Sequence, residues 1–227
     1  MAVWRVRRLI TLGAALTFLA AGPCPAQHGV DLVPFFGIYV PTTSVGLAYD
    51  SCLRGPGVWG VCGTEPVTLT PGPEVGLRLV ARADASIAYY LSFAYVLTQT
   101  VYQSSNGLDN TEGGDLAHVA LADAGLMFNF RPGADSMAIF CFAGPSVVMR
   151  GGSAFESDYL TLQPAGPEWG VHAGIGVRFE PFPKLALRAD IEDIVYAFGS
   201  SVTGVPSPQN AVNFSFGATV AVAGAKH

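Results

Sequence analysis

Charge is scarce in this chain. Only 13% of its 227 residues are Asp, Glu, Lys or Arg, about half the share usual in a soluble domain. Lysine is reduced to Lys184 and Lys226, too few to clothe a solvated outer wall. Long apolar runs are lacking too. After the first thirty positions nothing approaches the roughly 18 uninterrupted apolar residues of a spanning helix, although half the chain is hydrophobic. The excess apolarity therefore lies in short segments, which suits strands.

The N-terminus accounts for part of that apolarity. Trp4-Arg5-Val6-Arg7-Arg8 forms a positive n-region, residues 9–21 an apolar h-region, and Cys24-Pro25-Ala26 a small-residue cleavage site, the three parts of a signal peptide. Cleavage is expected after Ala26, so that residues 1–26 are the signal and 27–227 a single barrel domain. The apolar stretch is short for a membrane anchor, and Pro23 sits where a lipobox before Cys24 wants a small non-proline residue. Losing three arginines and no acids lowers the net charge from -5 to about -8, which disfavours a nucleic-acid partner.

Of the four cysteines, three remain to be placed. Cys52 and Cys62 lie ten apart in a Gly/Pro-rich stretch, and export to an oxidising compartment predicts a loop disulfide between them. A metal site there would need more Cys or His nearby, and no metal or cofactor is expected. Cys141 falls in an apolar strand as a buried or lipid-facing small residue.

Alternating segments recur at 30–40, 73–84, 86–99, 115–131, 136–150, 167–180, 184–198 and 210–222, eight in all. Their connections alternate between tight turns rich in Pro, Gly and Asp, at 84–86, 132–135 and 181–183, and long loops at 41–72, 100–114, 151–166 and 199–209. Up-and-down strands would gather all four long loops at one end, as in bacterial barrels with short periplasmic turns and long outer loops. The fold class expected is all-β: an eight-stranded antiparallel up-and-down transmembrane β-barrel in the outer membrane.

Side-chain alternation assigns the faces. Ile87, Tyr89, Leu91, Phe93, Tyr95 and Leu97 share one side of the third strand, with small residues on the other. On the second, Val75, Leu77, Leu79, Ala81 and Ala83 oppose Glu74, Gly76, Arg78, Arg82 and Asp84. On the sixth, Val171, Ala173, Ile175, Val177 and Phe179 oppose His172, Gly174, Gly176, Arg178 and Glu180. A soluble lipocalin-like barrel would turn the apolar face inward, and a β-sandwich with an aromatic core is a further option. The shortage of lysine points the apolar face at lipid instead. Tyr39, Tyr95, Tyr102, Phe128, Phe130, Trp169, Phe179, Phe182, Tyr196 and Phe198 are then expected in aromatic girdles near the strand ends.

In this register Arg78, Asp123, His172, Arg188, Asp190 and Glu192 point inward at similar heights. An eight-stranded lumen is just wide enough for side chains to fill it, so they are expected to pair as an ionic plug, with a gated or proton-conducting path as the alternative. Arg82, Asp84, Arg131, Arg178 and Glu180 form a second mixed layer at the periplasmic mouth. Neither is a one-sign selectivity ring. His118 and His172 are the candidates for a lipid A-modifying enzyme, but no serine follows either at suitable spacing, and Ser104-Ser105-Asn106-Gly107 reads as a turn. No enzymatic activity is expected. The three carboxylates of residues 109–115 fit no calcium-loop spacing and read as a solvated acidic loop. Gly174 and Gly176 leave room in the lumen for larger neighbours.

Over residues 27–227 the chain resembles the small outer-membrane β-barrel superfamily that includes OmpX, OmpW and the barrel domain of OmpA. The resembling stretches are residues 30–41 (VDLVPFFGIYVP), 187–193 (LRADIED) and 212–218 (VNFSFGA). The resemblance implies contact with outer-membrane lipid and lipopolysaccharide, insertion by the barrel assembly machinery, and a monomer. Barrels of this kind commonly finish on an aromatic residue, whereas this chain runs on through Gly224-Ala225-Lys226-His227; Phe214 and Phe216 are expected to serve instead. Pro34 and Pro145 are expected at ends, edges or bulges. The function expected is non-enzymatic: a charge-plugged barrel serving envelope integrity or surface contacts through four extracellular loops. A narrow pore for small or apolar solutes is the alternative.

Overall fold

The computed structural model describes residues 29–53, 59–103, 112–130, 137–155, 167–182, 185–199 and 206–223. The expected signal peptide, the Ser104–Gly107 turn, Arg131, Lys184 and Lys226 lie outside them. Eleven strands follow in order: β1 (Val30–Pro41), β2 (Gly46–Leu53), β3 (Trp59–Leu69), β4 (Gly72–Arg82), β5 (Ile87–Gln103), β6 (Glu112–Gly113), β7 (Leu116–Phe130), β8 (Met137–Gly151), β9 (Glu168–Phe182), β10 (Leu185–Gly199) and β11 (Pro206–Ala223). Eight of them close a cylinder. β1 pairs with β4 and β11, and the circuit runs on through β5, β7, β8, β9 and β10, every pair antiparallel. Closure satisfies the backbone groups that an open edge would leave bare in lipid.

The stretch 41–72, expected as a loop, is largely a hairpin. β2 pairs with β3, and β3 returns to the wall through Thr68↔Val101 and Leu69↔Thr100. Val61, Thr64, Val67 and Thr68 are β-branched and favour extended backbone, a preference masked in the sequence by the surrounding Gly and Pro. The backbones of Cys52 and Cys62 belong to this hairpin; their side chains, and so the expected disulfide, lie outside what is described.

At the opposite end Asp84 closes the short turn between β4 and β5. Its Oδ1 accepts from the amides of Ser86 at 2.6 Å and Ile87 at 2.7 Å, an Asx-type turn. Both prolines lie within strands rather than at their ends. The β1–β11 ladder passes from Leu32↔Val220 to Phe35↔Gly217, and the β7–β8 ladder from Asp123↔Ser146 to Leu126↔Ala143. Each gap spans a proline, which has no N–H to give the ladder.

The two faces divide as alternation requires. Phe36, Val75, Leu77, Tyr89, Leu91, Phe93, Leu97, Ile175 and Phe216 are exposed on the outside, while Arg78, Asp123, His172, Arg188 and Glu192 are buried inside. A bulky apolar exterior of this kind is the transmembrane arrangement, the inverse of a soluble lipocalin. On that exterior the small residues Ala143 and Ala173 leave an open apolar hollow of about 670 Å³, bordered by Cys141 and Ile191 among others.

The girdle expectation needs correction at two positions. Trp169, Tyr95, Phe128, Phe130 and Phe179 are exposed on the outer wall, but Tyr39 and Tyr196 are buried in the lumen, because their places in β1 and β10 have inward parity. The side chains of Tyr102, Phe182 and Phe198 lie outside the described residues.

Candidate functional site

The lumen is built in levels, set by where each inward residue falls along its strand. Nearest the short turns, Arg82 Nη2 meets Asp31 Oδ2 at 2.7 Å, Arg178 Nη1 approaches the same oxygen at 3.8 Å, and Arg178 Nη2 meets Glu180 at 3.1 Å. Asp31, absent from the sequence expectation, is the centre of this layer. Asp84, which was assigned to it, is engaged in its turn instead. Beside these charges is a cavity of about 20 Å³, room for about one water.

The middle level carries the main network. Arg78 Nη1 donates to Asp190 Oδ2 at 2.7 Å and its Nη2 lies 3.6 Å from Glu192 Oε2, while Arg188 Nε donates to both oxygens of Asp190 at 2.7 and 2.8 Å. Arg188 and Asp190 are two apart on β10 and thus share its inner face. Aromatic rings fill the space between. The Arg188 guanidinium lies 4.1 Å from the Phe140 ring centroid, and that of Arg78 lies 5.1 Å from Phe142 and 5.5 Å from Tyr90, cation–π distances. Glycine makes this packing possible. A Cβ on Gly174 would collide with the Phe142 ring and one on Gly176 with the Phe140 ring, so the two bare positions on β9 receive the two phenylalanines of β8.

Across the lumen Asp123 accepts from Ser146 Oγ at 2.6 Å, and His172 stands between two acids, with Nδ1 3.7 Å from Asp123 and Nε2 3.6 Å from Glu192. The Tyr90 hydroxyl is hydrogen-bonded to His172 Nε2. Glu74 accepts from Asn213 Nδ2 at 3.3 Å. The six residues expected in the lumen thus share one buried zone, with Glu74, Tyr90, Ser92, Phe140, Phe142 and Ser146 beside them. Tyr90 lies on the face of β5 assigned to small residues, where alternation alone could have placed it.

Toward the long loops the lumen changes character. Arg150 pairs with Glu168 at 2.7 Å and lies 4.9 Å from the Tyr196 ring, and the Tyr39 and Tyr196 hydroxyls are 3.3 Å apart. Around and above them Val45, Val67, Leu69, Val96, Val119, Val148, Phe155 and Ile194 form a buried apolar cluster. An inner face that is polar throughout is therefore wrong for this end.

Among the described lumen residues, Ser146 and His172 are not paired as a nucleophile and its base. Ser146 gives its hydrogen bond to a carboxylate rather than to an imidazole, the reverse of the order in which a histidine activates a serine. His118 stacks on Tyr95 at 5.5 Å on the outer face of β7, with the wall between it and His172.

A closed cylinder of eight antiparallel strands, apolar outside and charged within, is now in view. The chain has the fold of a small outer-membrane β-barrel. Among solved structures it is similar to OprG from Pseudomonas aeruginosa, with 13% identity, coverage of 86% of this chain and 96% of that one, and a TM-score of 0.54. It is also similar to Neisserial surface protein A, at 11% identity, 87% and 98% coverage and a TM-score of 0.47. Outer membrane protein W of Escherichia coli matches at 16% identity, 82% and 97% coverage and a TM-score of 0.41. No family profile and no curated protein matches the chain. For this barrel, function must be argued from its own lumen and loops.

Proposed function

We propose that the protein is a non-enzymatic barrel of the outer membrane whose lumen is closed, and that it serves envelope integrity or surface contacts through the segments beyond its long-loop end. The observation that carries this reading is the buried link from Arg78 of β4 to Asp190 of β10 at 2.7 Å, with the Phe142 ring 5.1 Å from the Arg78 guanidinium and the apolar cluster of Val96, Val119 and Val148 on the long-loop side. Ions crossing such a lumen would have to break charge-assisted hydrogen bonds and then pass a dry apolar layer. The expected result in planar lipid bilayers is silence from the intact barrel. Stepwise ion currents from folded wild-type protein would overturn the closed-lumen reading.

The apolar cluster supports a second reading, a narrow path for small apolar solutes. Such solutes would partition into that layer while ions would not. Vesicles carrying the barrel would then take up an apolar solute faster than empty vesicles while remaining electrically silent; equal uptake would dismiss this path.

A further inference from the structure

Among the described residues, acids and guanidiniums match in number in two of the three levels of the lumen and do not in the third. Near the short turns Arg82 and Arg178 face Asp31 and Glu180, and toward the long loops Arg150 faces Glu168. Between them, among the described residues, Glu74, Asp123, Asp190 and Glu192 face only Arg78 and Arg188. Four carboxyl groups against two guanidiniums leave an excess of two acids without a counter-cation in a buried space. Uncompensated charge is costly there.

The excess has a focus. Donor atoms of Asp123, His172 and Glu192 all lie within 4.8 Å of one another. Oε1 of Glu192, a residue 6% exposed, lacks a hydrogen-bond partner, and Nδ1 of His172, 3% exposed, has no side-chain partner. We propose that Asp123, His172 and Glu192 form a binding site for one divalent transition-metal cation of the Zn²⁺ type, which neutralises the middle of the lumen. An imidazole with two carboxylates suits Zn²⁺ or its neighbours, whereas Mg²⁺ and Ca²⁺ prefer oxygen alone.

The spacings fit. Donors on a tetrahedral Zn²⁺ stand about 3.3 Å apart at normal bond lengths; Nδ1 of His172 is 3.7 Å from Asp123 Oδ1, and the three donors, all within 4.8 Å of one another, would draw together by up to about 1.5 Å around the ion. The surroundings orient the donors as supporting residues do in metal sites. Ser146 holds Asp123, and Tyr90 holds one nitrogen of His172, leaving the other for the ion. Arg78, 3.6 Å from Glu192 Oε2, stands beside the site without filling it. The proposal does not depend on whether the lumen conducts.

The test is the metal content of the purified, folded barrel after loading with Zn²⁺ and dialysis. Wild-type protein is expected to retain about one Zn²⁺ per chain. His172→Gln is expected to weaken binding about 100-fold or more, whereas His118→Ala, on the outer wall, leaves it unchanged. X-ray absorption at the zinc edge of the wild-type barrel should show one imidazole among oxygen donors. That measurement decides the matter even if His172→Gln fails to fold. No retained zinc, undiminished binding by folded His172→Gln, or a zinc sphere without imidazole would each overturn the proposal.

Discussion

The middle of the lumen and its long-loop end occupy the same cylinder but are held by different physics. In the middle, Arg78, Arg188, Asp190 and Glu192 are buried and depend on one another, so stability rests on every partner being present. Toward the long loops, Val96, Val119, Val148 and Ile194 are buried with little or no exposure and contribute by area and fit, which are graded and forgiving. The contrast teaches that an inward position does not fix polarity. It fixes only that the side chain must be satisfied, by a counter-charge at one level and by close packing at another.

Four substitutions sharpen this contrast, all read as unfolding free energies of the barrel in lipid vesicles. Arg78→Ala should have the largest effect, a loss of about 3–5 kcal/mol, because it leaves Glu192 without its cation and Asp190 with Arg188 alone. Leu77→Arg, one residue away on the opposite face, should cost about 2–4 kcal/mol by placing a charge against hydrocarbon. The pair breaks the argument if Leu77→Arg is neutral, since the exterior would then be wet. Ile194→Val, in the apolar end, should cost only about 1 kcal/mol; a loss comparable to that of Arg78→Ala would mean that the two regions are not distinct. Tyr39→Phe, which removes one partner of the 3.3 Å hydroxyl contact with Tyr196, should cost about 1 kcal/mol or less.

Much of the barrel was legible because alternation is a backbone property. Leu91 and Phe93 face outward while Arg78 and Asp190 face inward, as period two and the shortage of lysine implied. Alternation also carries the error at Tyr39 and Tyr196, since proximity to a strand end was read in place of parity. Asp31 went unnoticed because its partners, Arg82 and Arg178, lie on β4 and β9 and meet it only when the cylinder closes. The excess of acids in the middle is hidden for the same reason: the sequence reading gathers six ionisable residues there without Glu74, which is buried at 2% exposure. The hairpin within 41–72 was illegible because Gly and Pro report breaks in the chain and say nothing about what pairs between them.

That hairpin has a consequence of its own. Closing the cylinder gives every wall strand two neighbours, yet among the described residues β2 pairs with β3 alone. Its other side carries no ladder among the described residues, on the end of the molecule that carries the long loops. An edge strand pairs through its backbone, with little regard to sequence.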